Sequence, residues 1–171
     1  MIVEAVDNRI NKDWTNNRLG YRKLHMVEIV DALNKILSNY SVHAHKLQNF
    51  HWNVEGADFF DLHSFFEIQY SESQKAIDDL AERIRVFDAR PLSTMKDQLD
   101  HATILEVHST QTAVEMVAEI LNDYEILLDD MFRALEIAVK CGDIGTEDLI
   151  KPMIRTVEKN YWMLTSFSKK S

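Results

Sequence analysis

Residues 50–84 read FHWNVEGADFFDLHSFFEIQYSESQKAIDDLAERI, and this stretch decides the fold. Upstream of it Leu24, Val27, Val30, Leu33, Leu37, Tyr40, Ala44, Leu47 and Phe50 recur at steps of three and four, the period of a helix with one buried face. That pattern predicts a helix from about Tyr21 to Asn53, stopped at Gly56. Asp58 is the expected N-cap of a second helix running to about Phe87. Its first turns are aromatic (Phe59, Phe60, Phe65, Phe66), and its later turns carry Ile77, Leu80, Ala81 and Ile84. The phenylalanines read as core or interface packing.

Outward from this pair, Asp88-Ala89-Arg90-Pro91 breaks the second helix. A polar stretch follows to about Gln111, long enough to cross the molecule, with a short helix expected near Ser93–Leu99. Thr112-x-x-Glu115 is a capping-box pattern opening a third long helix to about Lys140, which Cys141-Gly142-Asp143-Ile144-Gly145 ends. A fourth helix is expected from about Glu147 to Phe167, kinked or delayed by Pro152. Residues 1–20 lack apolar periodicity and read as an irregular arm before one domain, 21–171. Four long helices with a crossover between the second and third form an all-α, ferritin-like four-helix bundle.

Composition supports that reading. Four glycines and two prolines in 171 residues are too few for a turn-rich β fold. The net charge of −9 disfavours nucleic acid and attracts cations, although residues 1–24 alone carry a net +2. A lone Cys141 excludes an internal disulfide framework and suits a reducing compartment. No signal-peptide pattern opens the chain, and no apolar run approaches the ~20 residues of a membrane span. The expectation is a soluble cytoplasmic protein.

The chemistry concentrates in the quoted stretch, in His51, His63, Glu67, Asp78 and Glu82. With His63 at zero on a helical wheel of ~100° per residue, Glu67 falls near ~40°, Asp78 near ~60° and Glu82 near ~100°. A solvated charge stripe explains the carboxylates but not a histidine at the matching angle. Glu67 and Asp78 are nevertheless ~16 Å apart along one helix, too far to share an ion with bonds of ~2 Å. His63 and Glu82, like Glu67 and Asp78, lie symmetrically about a point between residues 72 and 73. Two copies of the helix crossing antiparallel at that point would bring the members of each pair together, giving two equivalent sites between subunits.

Two imidazoles with two or three carboxylates and no thiolate suit iron, manganese or zinc. Affinity alone favours zinc; the bundle context favours iron. None of the thirteen glutamates is followed three positions later by histidine, so the Glu-x-x-His step of di-iron sites inside one bundle is missing.

On residues 50–84, and on VEKNYWML at 157–164, the sequence resembles the Dps family, the DNA-protecting mini-ferritins of starved bacteria. The match extends over about residues 24–167. The resemblance implies a hollow dodecamer that oxidises Fe(II), preferentially with hydrogen peroxide, and stores ferric (Fe3+) mineral. It places the ferroxidase ligands on His51, His63 and Glu67 of one subunit and on Asp78 and Glu82 of its two-fold mate. At position 67 the family often has Asp, so Glu67 carries an extra methylene. The resemblance further suggests Asp143 and Asp148 as acidic residues of a three-fold iron-entry pore, with turn and helix-start roles as the alternative. Trp52 reads first as core or interface packing, and its place beside His51 also allows a radical-trapping role.

His25, His43, His45, His101 and His108 lack comparable spacing and read as surface or hydrogen-bonded histidines. The second class of function is a nucleoid-associated protein that compacts DNA around a structural metal site. Only the mild basicity of Arg9, Lys12, Arg18, Arg22 and Lys23 favours it, diluted by Glu4, Asp7 and Asp13, with Lys169 and Lys170 at the other end.

Overall fold

The computed structural model describes residues 23–108 and 110–169, excluding the side chains of residues 23–25. The irregular arm expected over 1–20 lies outside the described residues. Five helices and no strand occur within them: α1 (Lys23–Asn53), α2 (Phe59–Val86), α3 (Met95–His101), α4 (Ala113–Cys141) and α5 (Ile144–Phe167).

Helix directions follow from cross-helix pairs. His43 meets Asp123, Lys46 meets Glu119 and Asn39 meets Asp130, so α1 and α4 run antiparallel. Gln69 with Asn160, and Arg83 with Thr146, set α2 and α5 antiparallel. Since α2 also turns back on α1, α2 and α4 are parallel and cannot be joined by a tight turn. The protein therefore has the ferritin-like bundle with a crossover that its periodicity predicts. Leu33, Leu37, Leu47, Phe66, Leu80, Ile120, Leu127, Met131 and Ile150 are among the fully buried residues at its centre. Each contributes roughly 1.5–3 kcal/mol by leaving water.

Polar side chains of α1 strap the crossover down. Asn34 Oδ1 accepts from Leu92 N at 2.9 Å, and Lys35 Nζ donates to His101 O at 2.7 Å. Asn39 Oδ1 takes both Thr103 N and Ile104 N, while its Nδ2 donates to Asp130 on α4 at 2.6 Å. Asn49 Nδ2 reaches Val107 O. The connection thus satisfies much of its backbone against a helix rather than against itself.

Local signals placed most helix ends. Thr112 and Glu115 form the full capping box. Gly142 closes α4 in the left-handed region, φ 70°, which glycine adopts without the steric cost of a Cβ. Asp58 occupies the N-cap position of α2 as expected, although its side chain makes no capping hydrogen bond. Two helix bounds differ from expectation. The short helix lies at Met95–His101 rather than Ser93–Leu99, because Thr94 caps it by accepting from Asp97 N. Helix α5 begins at Ile144 rather than Glu147, because Asp143 caps it by accepting from Thr146 N at 3.1 Å. Pro152 lies well inside that helix and delays nothing; the donor it lacks leaves the Asp148 carbonyl on an exposed flank.

Candidate metal centre

The turn between α1 and α2 brings His51 and His63 together. His51 Nδ1 donates to His63 O at 2.9 Å, and His63 Nδ1 donates to His51 O at 2.8 Å. A carbonyl oxygen can only accept, so both Nδ1 atoms carry a proton and each neutral ring keeps its lone pair on Nε2. His51 O belongs to the last turn of α1, where helical partners run out, and His63 supplies the missing donor. The rings stack with centroids 3.8 Å apart at 22°. Phe59 stacks on His63 at 4.9 Å, and Tyr70 presents its edge to His51 at 5.5 Å. Fixed tautomer, fixed ring orientation and an open Nε2 are the preparations a metal-ligating histidine needs.

The carboxylates are less confined. Glu67, Asp78 and Glu82 are exposed, with Glu67 one turn beyond His63 and the other two farther down α2. Among the described residues no three His, Cys, Asp or Glu side chains converge to hold a metal ion. The chain alone therefore brings the two histidines together, puts Glu67 on the next turn and leaves Asp78 and Glu82 remote. Apolar side chains share this open surface: Phe60 is 81% exposed, Ile68 56% and Trp52 69%. Exposed aromatic and aliphatic groups around an incomplete ligand set are features of a surface that meets another protein.

The two pore candidates separate. Asp148 is exposed. Asp143 is fully buried: besides capping α5, it pairs with the Arg83 guanidinium, which also donates to Thr146 Oγ1 at 3.0 Å and lies over the Phe87 ring at 4.6 Å. A carboxylate committed to an arginine and a helix end has structural work within the chain, and of the two candidates Asp148 is the one that lies exposed. Sequence spacing misses Arg83 as a partner because a pair sixty positions apart leaves no periodic trace.

Of the unassigned histidines, His45 and His108 are exposed, His101 is half-buried and the His25 side chain is outside the described residues. His43 is buried and hydrogen-bonded, Nδ1 to Asp123 Oδ2 at 2.9 Å, while Lys46 Nζ donates to the other oxygen at 2.7 Å.

Comparison with known proteins agrees with this architecture. The family model for the ferritin-like domain matches residues 30–170. The chain is 41% identical over 140 residues to DNA protection during starvation protein 2 of Bacillus anthracis, covering 82% of this chain and 96% of that one. General stress protein 20U of Bacillus subtilis is 36% identical over the same length, covering 82% and 97%. The crystal structure of the Dps protein from Vibrio cholerae O1, described as one of the ferritin-like diiron-carboxylate proteins, superposes with a TM-score of 0.88 at 34% identity. That superposition covers 93% of this chain and all of the other. With the crossover bundle, the clamped histidine pair and these likenesses together, the chain belongs to the ferritin-like family and, within it, to the Dps proteins.

Proposed function

We propose that the protein is a mini-ferritin that oxidises Fe(II), preferentially with hydrogen peroxide, and stores the ferric product inside a hollow dodecamer in the cytoplasm. The reciprocal clamp of His51 and His63 carries this reading, because it prepares two Nε2 donors beside Glu67 with no further ligand among the described residues. Pairing α2 with α2 of a second copy, about a two-fold axis between residues 72 and 73, brings Asp78 and Glu82 to the other side. Burying Phe60, Ile68 and Trp52 then supplies the apolar contact such a pair requires.

Two Fe(II) ions are the substrate. Together they deliver two electrons to one peroxide, whose O–O bond breaks with uptake of two protons to give two waters and two Fe(III), and no hydroxyl radical leaves. The imidazoles bind without proton exchange at Nδ1, and the carboxylates offset the charge gained by the metals. Glu67 reaches one methylene farther than the family's frequent Asp. Trp52 is placed to intercept a stray oxidising equivalent, and Asp148 to attract Fe(II) to the entry pore. DNA compaction is the alternative class: the relatives' names speak of DNA protection, but the basic residues over 1–24 are sparse, with Lys169 and Lys170 at the other end.

Light scattering before and after addition of Fe(II) with peroxide tests the cage. A particle of twelve chains that takes up iron without precipitation is expected; a monomer or dimer leaving ferric precipitate rejects storage. Replacing His51 and His63 with Ala together is expected to cut peroxide-dependent Fe(II) oxidation at least ~100-fold. Oxidation at the native rate would refute the assignment of the centre. A gel shift that fails even at low salt removes the DNA reading.

A further inference from the structure

A second group of metal-binding character borders a cavity of the bundle away from the α1–α2 turn, with Tyr40 and His43 buried and Glu72 exposed. A cavity of about 280 Å³ opens between α2 and α5 and is bordered by Tyr40, His43, Gln69, Glu72, Tyr124 and Asn160. Its polar floor is tightly arranged. Gln69 Oε1 accepts from Tyr124 Oη at 2.9 Å and from Asn160 Nδ2 at 2.7 Å, while Gln69 Nε2 donates to Glu72 Oε2 at 3.1 Å. One glutamine therefore ties α2, α4 and α5 together and steadies the Glu72 carboxylate.

Two bordering side chains have capacity that this network does not use. The Tyr40 hydroxyl has no hydrogen-bond partner among the described residues, although the residue is only 6% exposed. His43, 1% exposed, gives its Nδ1 to Asp123, and among the described residues no hydrogen bond engages its Nε2. Asp123 is itself held by Lys46, so the imidazole has the carboxylate-backed orientation typical of metal-bound histidine. Burial first, and the Glu72 charge second, push the Tyr40 phenol well above its ordinary range. Glu72 and the phenol border the same cavity, and a cation held there would offset the carboxylate charge that opposes ionisation of Tyr40.

We propose that His43, Glu72 and Tyr40 form an intrachain site for one first-row transition-metal dication, separate from the centre at His51 and His63. One imidazole, one carboxylate and one phenol oxygen, without thiolate, suit iron, cobalt, manganese or zinc. The cavity has room for the ion and several waters at ~30 Å³ each, which complete its coordination. Exposed Lys75 and half-buried Asp79 also border the cavity and oppose each other in charge, leaving Glu72 as the net attraction. No second subunit is needed, so the site does not depend on the two-fold pairing.

Equilibrium dialysis with Co(II), with its visible absorption as a second readout, tests the assignment in the full chain. In the His51→Ala, His63→Ala background, which silences the other centre, one Co(II) per chain is expected to remain. Adding Glu72→Gln or Tyr40→Phe should weaken that binding at least tenfold. Neither change removes a hydrogen bond that Tyr40 makes or a buried charge pair, and circular dichroism verifies that the helices persist. Absence of Co(II) from the background variant, or undiminished binding after either added substitution, overturns the proposal. Cobalt retained here while the native protein fails to oxidise Fe(II) with peroxide would instead sink the proposed function and leave this site standing.

Discussion

Two histidine-carboxylate groups occupy this molecule, and they are built in opposite ways. At the α1–α2 turn, His51 and His63 satisfy each other's backbone while the carboxylates of the same face stay in water. In the bundle interior, His43 and Lys46 both bind Asp123, whose carboxylate is fully buried. The outer group is organised but unfinished; the inner one is neutralised within the chain. An exposed carboxylate keeps its hydration and costs nothing until a cation arrives, whereas a buried one must have its counter-charge at once. Stability should therefore follow the inner group and chemistry the outer.

That contrast can be broken most severely from inside. Lys46→Met leaves Asp123 buried with half its partners, and loss of about 3–5 kcal/mol is expected in urea unfolding at fixed chain concentration. A change below ~1 kcal/mol would show that Asp123 finds water or neutralises itself. The outer group should respond conversely. Asp78→Asn is expected to slow peroxide-dependent Fe(II) oxidation ~10–100-fold while unfolding shifts by no more than ~0.5 kcal/mol. A large stability loss with intact oxidation would reverse the roles assigned to the two groups.

A third test lies where the two halves of α2 differ. A Cβ at Gly145 would lie 2.7 Å from Arg83 Nη1, so Gly145→Ala must displace the guanidinium that holds Asp143. A cost of about 1–3 kcal/mol is expected, read from the melting temperature, and Arg83→Lys should not restore it. The smallest effect belongs to the surface. Thr112→Ala removes the cap of α4 at about 1 kcal/mol. The hydrogen bonds from the Thr112 backbone first, and its hydroxyl second, hold the Glu115 carboxyl below its usual range. A depressed carboxyl favours folding above its unfolded value of ~4.3, and the benefit fades as pH falls through the folded value. The difference between native protein and Glu115→Gln in pH-dependent unfolding should accordingly vanish in acid; a constant difference would rule out the capping carboxylate as its source.

Much of this was legible in the residues. Apolar steps along α1, the Gly56 break and the Thr112–Glu115 box mark helices because each acts within one or two turns. The wheel angles of His63, Glu67, Asp78 and Glu82 mark a face for the same reason, and their distance along α2 already argues against a site within one chain. What the pattern could not show are single long-range partners. Asn39, Arg83 and His43 look ordinary on their own helices and gain meaning only from residues sixty to ninety positions away. Asp143 shows the same limit: the family resemblance suggests a pore residue, whereas within the chain its turn folds it under Arg83, a partner no local pattern marks.

The crossover strapped along α1 bears on how the chain reaches its native state. The α1–α2 and α4–α5 hairpins are each close in sequence and can form early, but neither closes the core alone. Joining them fixes contacts such as Asn39 with Asp130, ninety-one residues apart, and the entropy of closing that loop falls due in one late step. Asn39 touches the crossover and α4 at that junction, so its hydrogen bonds belong to the docked state rather than to either hairpin. Weakening them should hasten unfolding more than it slows refolding, making this one asparagine a control on how long the assembled bundle lasts.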